Sequence, residues 1–206
     1  MTSVLLTGFG PFAGSDGNPS QDAVIAYAAA HPSADLVTAV LPVVFTDAAD
    51  RLRTLIAEHR PEVVIAFGLA GGSTRVAVER VAVNLIDARI PDNSGAAPVD
   101  VPSDPGGPAA RFATLPVKRI ARAIDDAGIP AHVSLSAGSY VCNHVFYTAL
   151  AAAPGARAGF IHLPWSASTA PEGAPHLPDD ALARAVAVAV EHARGAEDAR
   201  SAGTES

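Results

Sequence analysis

The 206-residue chain has one cysteine, Cys142, seven phenylalanines, three tyrosines and a single tryptophan. A lone cysteine excludes an internal disulfide framework and any multi-cysteine metal site, and it is the usage expected of a reducing cytoplasm. With aromatics at only 5%, the core has to be built from Ala, Val, Leu and Ile. Basic residues are also few: Lys and Arg total 14 against 21 Asp and Glu, a formal net charge of −7. Nucleic acid is therefore not an expected partner, because binding it needs clustered cations. Long apolar runs are missing too. The richest, Ala181–Val190, contains Arg184 and is followed by Glu191 and His192, well short of the roughly 20 apolar residues of a spanning helix. No basic region precedes the first apolar run, so neither a membrane span nor a signal peptide is expected.

What the chain does have is apolar material, 49% hydrophobic against 17% charged residues, enough for a packed core. Its length suits a single domain over 1–206, with the small polar residues 195–206 expected to form a mobile tail. Short apolar runs alternate with helical patterns, the signature of an α/β fold. Strands are predicted at Val4–Phe9, Leu36–Val40, Val63–Gly68, Val76–Ile86, His132–Ser136 and Gly159–Leu163. Most are apolar throughout, as in strands covered on both faces. Helices are predicted at Gln21–Ala30 after a cap at Ser20, Asp47–His59 after Thr46, Pro116–Ala127, Asn143–Ala153 and Asp179–Arg194. The stretch Ile90–Pro108, dense in Pro and Gly, reads as a long loop, and loops of that length in compact domains are usually functional.

Cys142 sits between a predicted strand and a helix expected to start near Asn143. At a helix N-terminus, unpaired N–H groups and the positive end of the dipole favour thiolate and are positioned to hold an oxyanion. A free cysteine is equally at home as a small buried hydrophobe. A nucleophile needs a base, and two histidines compete. His162 ends the apolar run Gly159–Leu163, where strand ends of an open parallel sheet meet helix N-termini; His144 lies two residues after Cys142. Either ring also suits a packed core position. Glu79 is the leading carboxylate to orient the base because it interrupts an apolar run, where a charge is costly unless paired. A salt bridge to Arg80 explains it as well, and Asp87 and Asp92 are alternatives. The glycines of Gly8-Phe-Gly-Pro-Phe-Ala-Gly and Gly68-Leu-Ala-Gly-Gly fit neither dinucleotide nor P-loop spacing. Phe9 and Phe12, with Asn18 nearby, instead suit a small, flat, neutral ligand, or else fold inward over the core.

Taken in order, these segments resemble pyroglutamyl peptidase type I, a family of cysteine peptidases. The resemblance rests on Thr7-Gly-Phe-Gly-Pro-Phe-Ala-Gly with Asn18-Pro-Ser, Gly68-Leu-Ala-Gly-Gly, Glu79-Arg-Val-Ala-Val-Asn and Asp87-Ala-Arg-Ile-Pro-Asp-Asn. It continues through Gly106-Gly-Pro-Ala-Ala, Thr114-Leu-Pro-Val-Lys, Ala137-Gly-Ser-Tyr-Val-Cys-Asn-His and Phe160-Ile-His-Leu-Pro. It implies a three-layer α/β/α sandwich with a mostly parallel sheet and a triad of Cys142, His162 and Glu79. The implied activity removes N-terminal pyroglutamate from peptides or amides without metal or cofactor. By the same resemblance Phe9 and Phe12 wall the lactam pocket and Asn18 holds its polar edge. Ile90 adds apolar wall, Arg89 lies beside the nucleophile, and Leu69 takes a pocket position where glutamine is frequent. Bacterial relatives are commonly homotetramers. Gly10, Ala13 and Ser73 also depart from the usual pattern. The other reading left open is a non-catalytic binder of pyroglutamyl or lactam ligands on the same fold.

Overall fold

Strands without polar alternation have to be covered on both sides, and helices cover them here. The computed structural model describes residues 3–202. In chain order the elements are β1 (Val4–Phe9), α1 (Pro19–Ala30), β2 (Leu36–Leu41), α2 (Phe45–His59), β3 (Val63–Leu69), β4 (Val76–Glu79) and β5 (Val81–Val83). They continue as β6 (Ala110–Phe112), α3 (Val117–Asp126), β7 (Ala131–Ser134), α4 (Val141–Ala152), β8 (Arg157–Leu163), β9 (Trp165–Ser166), β10 (His176–Leu177) and α5 (Asp179–His192). Six strands form the central sheet in the order β2-β1-β3-β8-β4-β7. Neighbours run parallel except at the β4–β8 junction.

One face carries α1, α3 and α5, whose Val24, Ile120, Ile124, Leu182 and Val186 pack on Ile65, Val78 and Ile161. The other carries α2 and α4, with Leu52, Leu55, Val145, Phe146 and Leu150 against Leu5, Val64 and Phe160. The result is the expected α/β/α sandwich with a mostly parallel sheet. Helix α4 is apolar nearly all round because α2 covers the side away from the sheet.

Several predicted boundaries shift for local reasons. The run Val76–Ile86 is not one strand: the chain peels off the main sheet at Arg80, and β5 pairs antiparallel with β6 instead. A second charge after Glu79 cannot continue a strand buried on both faces. The α1 cap is Asn18, whose Oδ1 accepts from the Ser20 N–H at 3.1 Å; Pro19, fixed in helical φ, takes the first turn and moves the cap forward. At α2 no local side chain caps, and the Phe45 N–H instead donates to Asp92 Oδ2 at 3.0 Å. The Ile90–Pro108 segment is pinned by the Ile86–Val101 bridge, by the Ala88 N–H to Pro98, and by the Asn84 amide to Asp104 and Gly107. In the terminal stretch, Glu197 accepts from the Lys118 and Arg119 N–H groups at the head of α3, and Asp198 pairs with Arg122. Residues 203–206 lie outside the described residues.

Candidate active site

The antiparallel β4–β8 pairing places Glu79 opposite Phe160, so the next residue on the same face of β8 is His162. The two side chains meet across that diagonal: His162 Nδ1–H donates to Glu79 Oε1 at 2.8 Å, with the residues 8% and 1% exposed. This pairing leaves Nε2 as the ring nitrogen available to a thiol. Glu79 is paired with His162, and no ion pair joins it to Arg80 among the described residues. Asp87 is exposed, and buried Asp92 is spent on Phe45, Ser94 and Ala96. Burial opposes charge on Asp92, but these hydrogen bonds outweigh it and hold the carboxyl below its usual range.

Cys142 lies inside the first turn of α4 rather than just ahead of it. The route to His162 also differs from a simple strand-helix-strand unit. The preceding strand, β7, is at the sheet edge, pairs with β4 and runs opposite to β8. The connection 135–140 therefore carries α4 back across the sheet. Burial alone would lower the His162 pKa. Hydrogen bonds to Cys142 and Glu79, reinforced by their charges, outweigh that and push it up to about 10. Tyr140 gives α4 no side-chain cap, which leaves the first-turn N–H groups without that partner, and Val141 and Cys142 of that turn line a cavity.

The cavity has a volume of about 200 Å³ and is walled mainly by apolar side chains. Of the residues singled out from the sequence, Phe9, Phe12, Asn18, Leu69, Cys142 and His162 line it. Phe9 does so while also packing into the core against Phe160, at 6.4 Å between ring centroids. Asn18 is largely committed elsewhere: Oδ1 accepts from Ser20 N–H and Oγ–H, and Nδ2 donates to the Gly10 carbonyl at 3.0 Å. One amide hydrogen remains for a ligand.

Arg89 is exposed and Ile90 half-buried, and neither is among the lining residues. Their segment is nonetheless stitched to the chain before Cys142. The Asp87 N–H donates to the Ser139 carbonyl, and the Tyr140 hydroxyl donates to the Pro91 carbonyl at 3.0 Å.

Val43, Ala137, Tyr140 and Val141 also line the cavity and were missed. The rule that ligands sit beyond carboxyl ends of strands pointed to Val43, just past β2. Asn143 was missed without any available signal. Its side chain accepts from Val83 N–H and donates to Val83 and Leu85 carbonyls, anchoring the turn that carries the cysteine. Of the departures from the family pattern, Ala13 has a physical consequence: at φ 52 it holds a left-handed backbone that glycine adopts without steric cost.

His144, the rival base, turns away to pack on α2, 6.2 Å from the Phe45 ring. Burial, helped by the Arg53 charge and opposed by Asp50, lowers its pKa to about 4. An unfolded histidine titrates near 6.5, so below that pH the unfolded chain binds a proton that the folded ring refuses. Stability from this ring is full above about pH 6.5 and falls by up to about 3 kcal/mol as pH drops to 4. Urea unfolding at pH 7 and pH 4.5 is expected to show a smaller loss for His144→Leu than for the parent. An equal loss in both contradicts this assignment.

Comparison with known proteins gives one family throughout. The pyroglutamyl peptidase family profile matches residues 2–195. A pyrrolidone-carboxylate peptidase of Streptomyces coelicolor is 48% identical over 189 residues, 89% of this chain and 88% of that one. Pyrrolidone-carboxylate peptidase 1 of Ralstonia nicotianae is 44% identical over 98% of each chain. The crystal structure of pyroglutamyl peptidase I from Bacillus amyloliquefaciens superposes with a TM-score of 0.90 at 43% identity, covering 98% of this chain and all of the other. A mutant pyrrolidone carboxyl peptidase of Pyrococcus furiosus gives 0.87 at 38% identity, over 93% and 98%. With a cysteine, a histidine and a glutamate gathered beside one small apolar cavity, and likeness along nearly the whole chain, this protein belongs to the pyroglutamyl peptidase family.

Proposed function

We propose that the chain is a cysteine exopeptidase that hydrolyses the amide bond following an N-terminal pyroglutamyl residue. The observation that carries this reading is that Cys142 and the Glu79-bound His162 share the wall of one small apolar cavity. His162 Nε2 takes the thiol proton of Cys142, either in the attack or beforehand as an ion pair, and the sulfur attacks the carbonyl carbon joining pyroglutamate to the next residue. The carbonyl π electrons move to oxygen, which first-turn N–H groups of α4 stabilise. As the tetrahedral intermediate collapses, the C–N bond breaks and the imidazolium gives its proton to the leaving amine. Water then attacks the thioester, returns a proton to the imidazole, and releases pyroglutamate and the sulfur. Glu79 keeps Nδ1 protonated and the ring aimed throughout.

Selectivity follows from the walls. At about 200 Å³ the cavity is smaller than the roughly 300–1,000 Å³ of drug-sized pockets, and it suits one lactam ring. A cyclised N-terminus carries no ammonium, so entering an apolar slot costs little. An ordinary protonated N-terminus has to shed its water first. The same reading has the enzyme in the cytoplasm as a homo-oligomer, a tetramer, with neither nucleic acid nor membrane as partner. The single cysteine and the charge of −7 support the compartment and the exclusion of nucleic acid. No helix among the described residues is long and apolar enough to cross a membrane. Exposed Val99, Phe112 and Leu135 support subunit contacts.

The test is release of a fluorophore from a pyroglutamyl amide beside its glutaminyl analogue. The pyroglutamyl substrate is expected to turn over at least about 100-fold faster, with iodoacetamide abolishing release and chelators leaving it unchanged. Stoichiometric binding without release contradicts the proposal and restores the binding-module reading.

A further inference from the structure

Gly68 lies on β3 directly beside His162 in the parallel β3–β8 register, on the sheet face that α4 covers. Its backbone is ordinary strand and not among the positive-φ glycines, so conformational freedom does not call for glycine here. Space does. A β-carbon at position 68 would stand 3.0 Å from Cys142 Sγ, 2.7 Å from Phe160 Cζ and 3.1 Å from Phe160 Cε1. The Phe160 ring is fully buried and lies 4.8 Å from the His162 ring, centroid to centroid, so it has little room to yield. The bare backbone of Gly68 thus meets the sulfur on the sheet side, while His162 approaches from the adjacent strand.

We propose that Gly68 is a positioning residue, the floor of the nucleophile's seat, which lets the Cys142 sulfur settle at the depth where it meets both His162 and the substrate carbonyl. This rests on the peptidase reading of Cys142 and His162. Ordinary contact between non-bonded heavy atoms is about 3.5–4.0 Å. A methyl group at position 68 therefore forces the sulfur outward by a few tenths of an ångström. A displacement of about 1 Å at a reacting atom costs about 100-fold in rate.

The experiment compares Gly68→Ala, Phe160→Leu and the double variant with the parent protein. Three quantities are measured: thermal midpoint, kcat and KM on a pyroglutamyl amide, and the rate of Cys142 alkylation by iodoacetamide from pH 5 to 9. For Gly68→Ala, kcat is expected to fall about tenfold or more with KM within about threefold. Alkylation at pH 6, where an unpaired thiol is nearly inert, is expected to slow at least about tenfold and recover only toward pH 8–9. The double variant lacks the ring clash and retains the sulfur contact, so it is expected to stay slow relative to Phe160→Leu alone.

Recovery of the double variant to the Phe160→Leu rates overturns the proposal, because the ring and not the sulfur was then displaced. Parent-like kcat and alkylation in Gly68→Ala overturn it too. So does a double variant that fails to fold, since position 68 would then serve core packing rather than the nucleophile. Alkylation needs no substrate, so a parent protein that turned over no pyroglutamyl amide would sink the peptidase reading while the seat was still being measured.

Discussion

Replacing Cys142 with alanine is expected to lower turnover of a pyroglutamyl amide by at least about 10⁴-fold, the scale seen when a nucleophile is removed from a unit that works together. Fold and thermal midpoint are expected to stay within a few degrees of the parent. The side chain is only partly buried, and losing one small polarisable atom from such a place costs little packing. Pyroglutamyl ligands are still expected to bind, because Phe9, Phe12, Val43 and Leu69 form the walls independently of the sulfur. The combination of retained binding and lost chemistry separates a nucleophile from a structural cysteine. A variant that kept even a tenth of the parent's kcat would show that the chemistry lies elsewhere.

The second large effect belongs to Glu79. Glu79→Gln keeps the size and polarity of the side chain and removes the charge that faces His162 Nδ1 at 2.8 Å. The expected loss in kcat/KM is roughly 10²- to 10⁴-fold, because the ring loses both its orientation and the stabilisation of its cation. The sign of the accompanying pH effect is fixed. Burial lowers the His162 pKa, while hydrogen bonds and charge from Cys142 and Glu79 raise it to about 10 in the parent. The protonated ring is needed to deliver a proton to the leaving amine, so activity fails as pH rises through that value. Without the carboxylate charge the alkaline limb moves toward neutrality, by about one unit or more. An alkaline limb that stays in place while activity falls would mean that Glu79 only packs. The Oε2 atom of Glu79 is buried without a hydrogen-bond partner among the described protein atoms.

Much of this arrangement was legible in the chain. Apolar runs located the principal strands, since burial on both faces leaves no polar alternation to confuse them. The uniqueness of Cys142 drew attention to the start of α4, and the charge within Val76–Ile86 drew it to Glu79. What stayed hidden depended on pieces far apart in sequence. The antiparallel entry of β4 beside β8 creates the Glu79–His162 diagonal, and no local pattern announces strand direction. Asp92 capping α2 across 47 residues is invisible for the same reason. A strand-end position offered His162, but His144, on the first turn beside the cysteine, stayed its rival; only the resemblance chose between them, and the structure shows His144 packed on α2. Arg89, placed beside the nucleophile by the resemblance, and Ile90, given as apolar wall, sit on a segment that is laced to Ser139 and Tyr140, and neither is among the residues lining the cavity.

The most direct measurement is peptide mass analysis after rapid acid quench of the protein mixed with excess pyroglutamyl ester or amide. The account predicts a pyroglutamyl group bonded to the peptide carrying Cys142, appearing before product accumulates and disappearing as turnover ends. Full turnover with an ester substrate whose acylation outruns hydrolysis, yet no adduct on that peptide or an adduct on another residue, would contradict it.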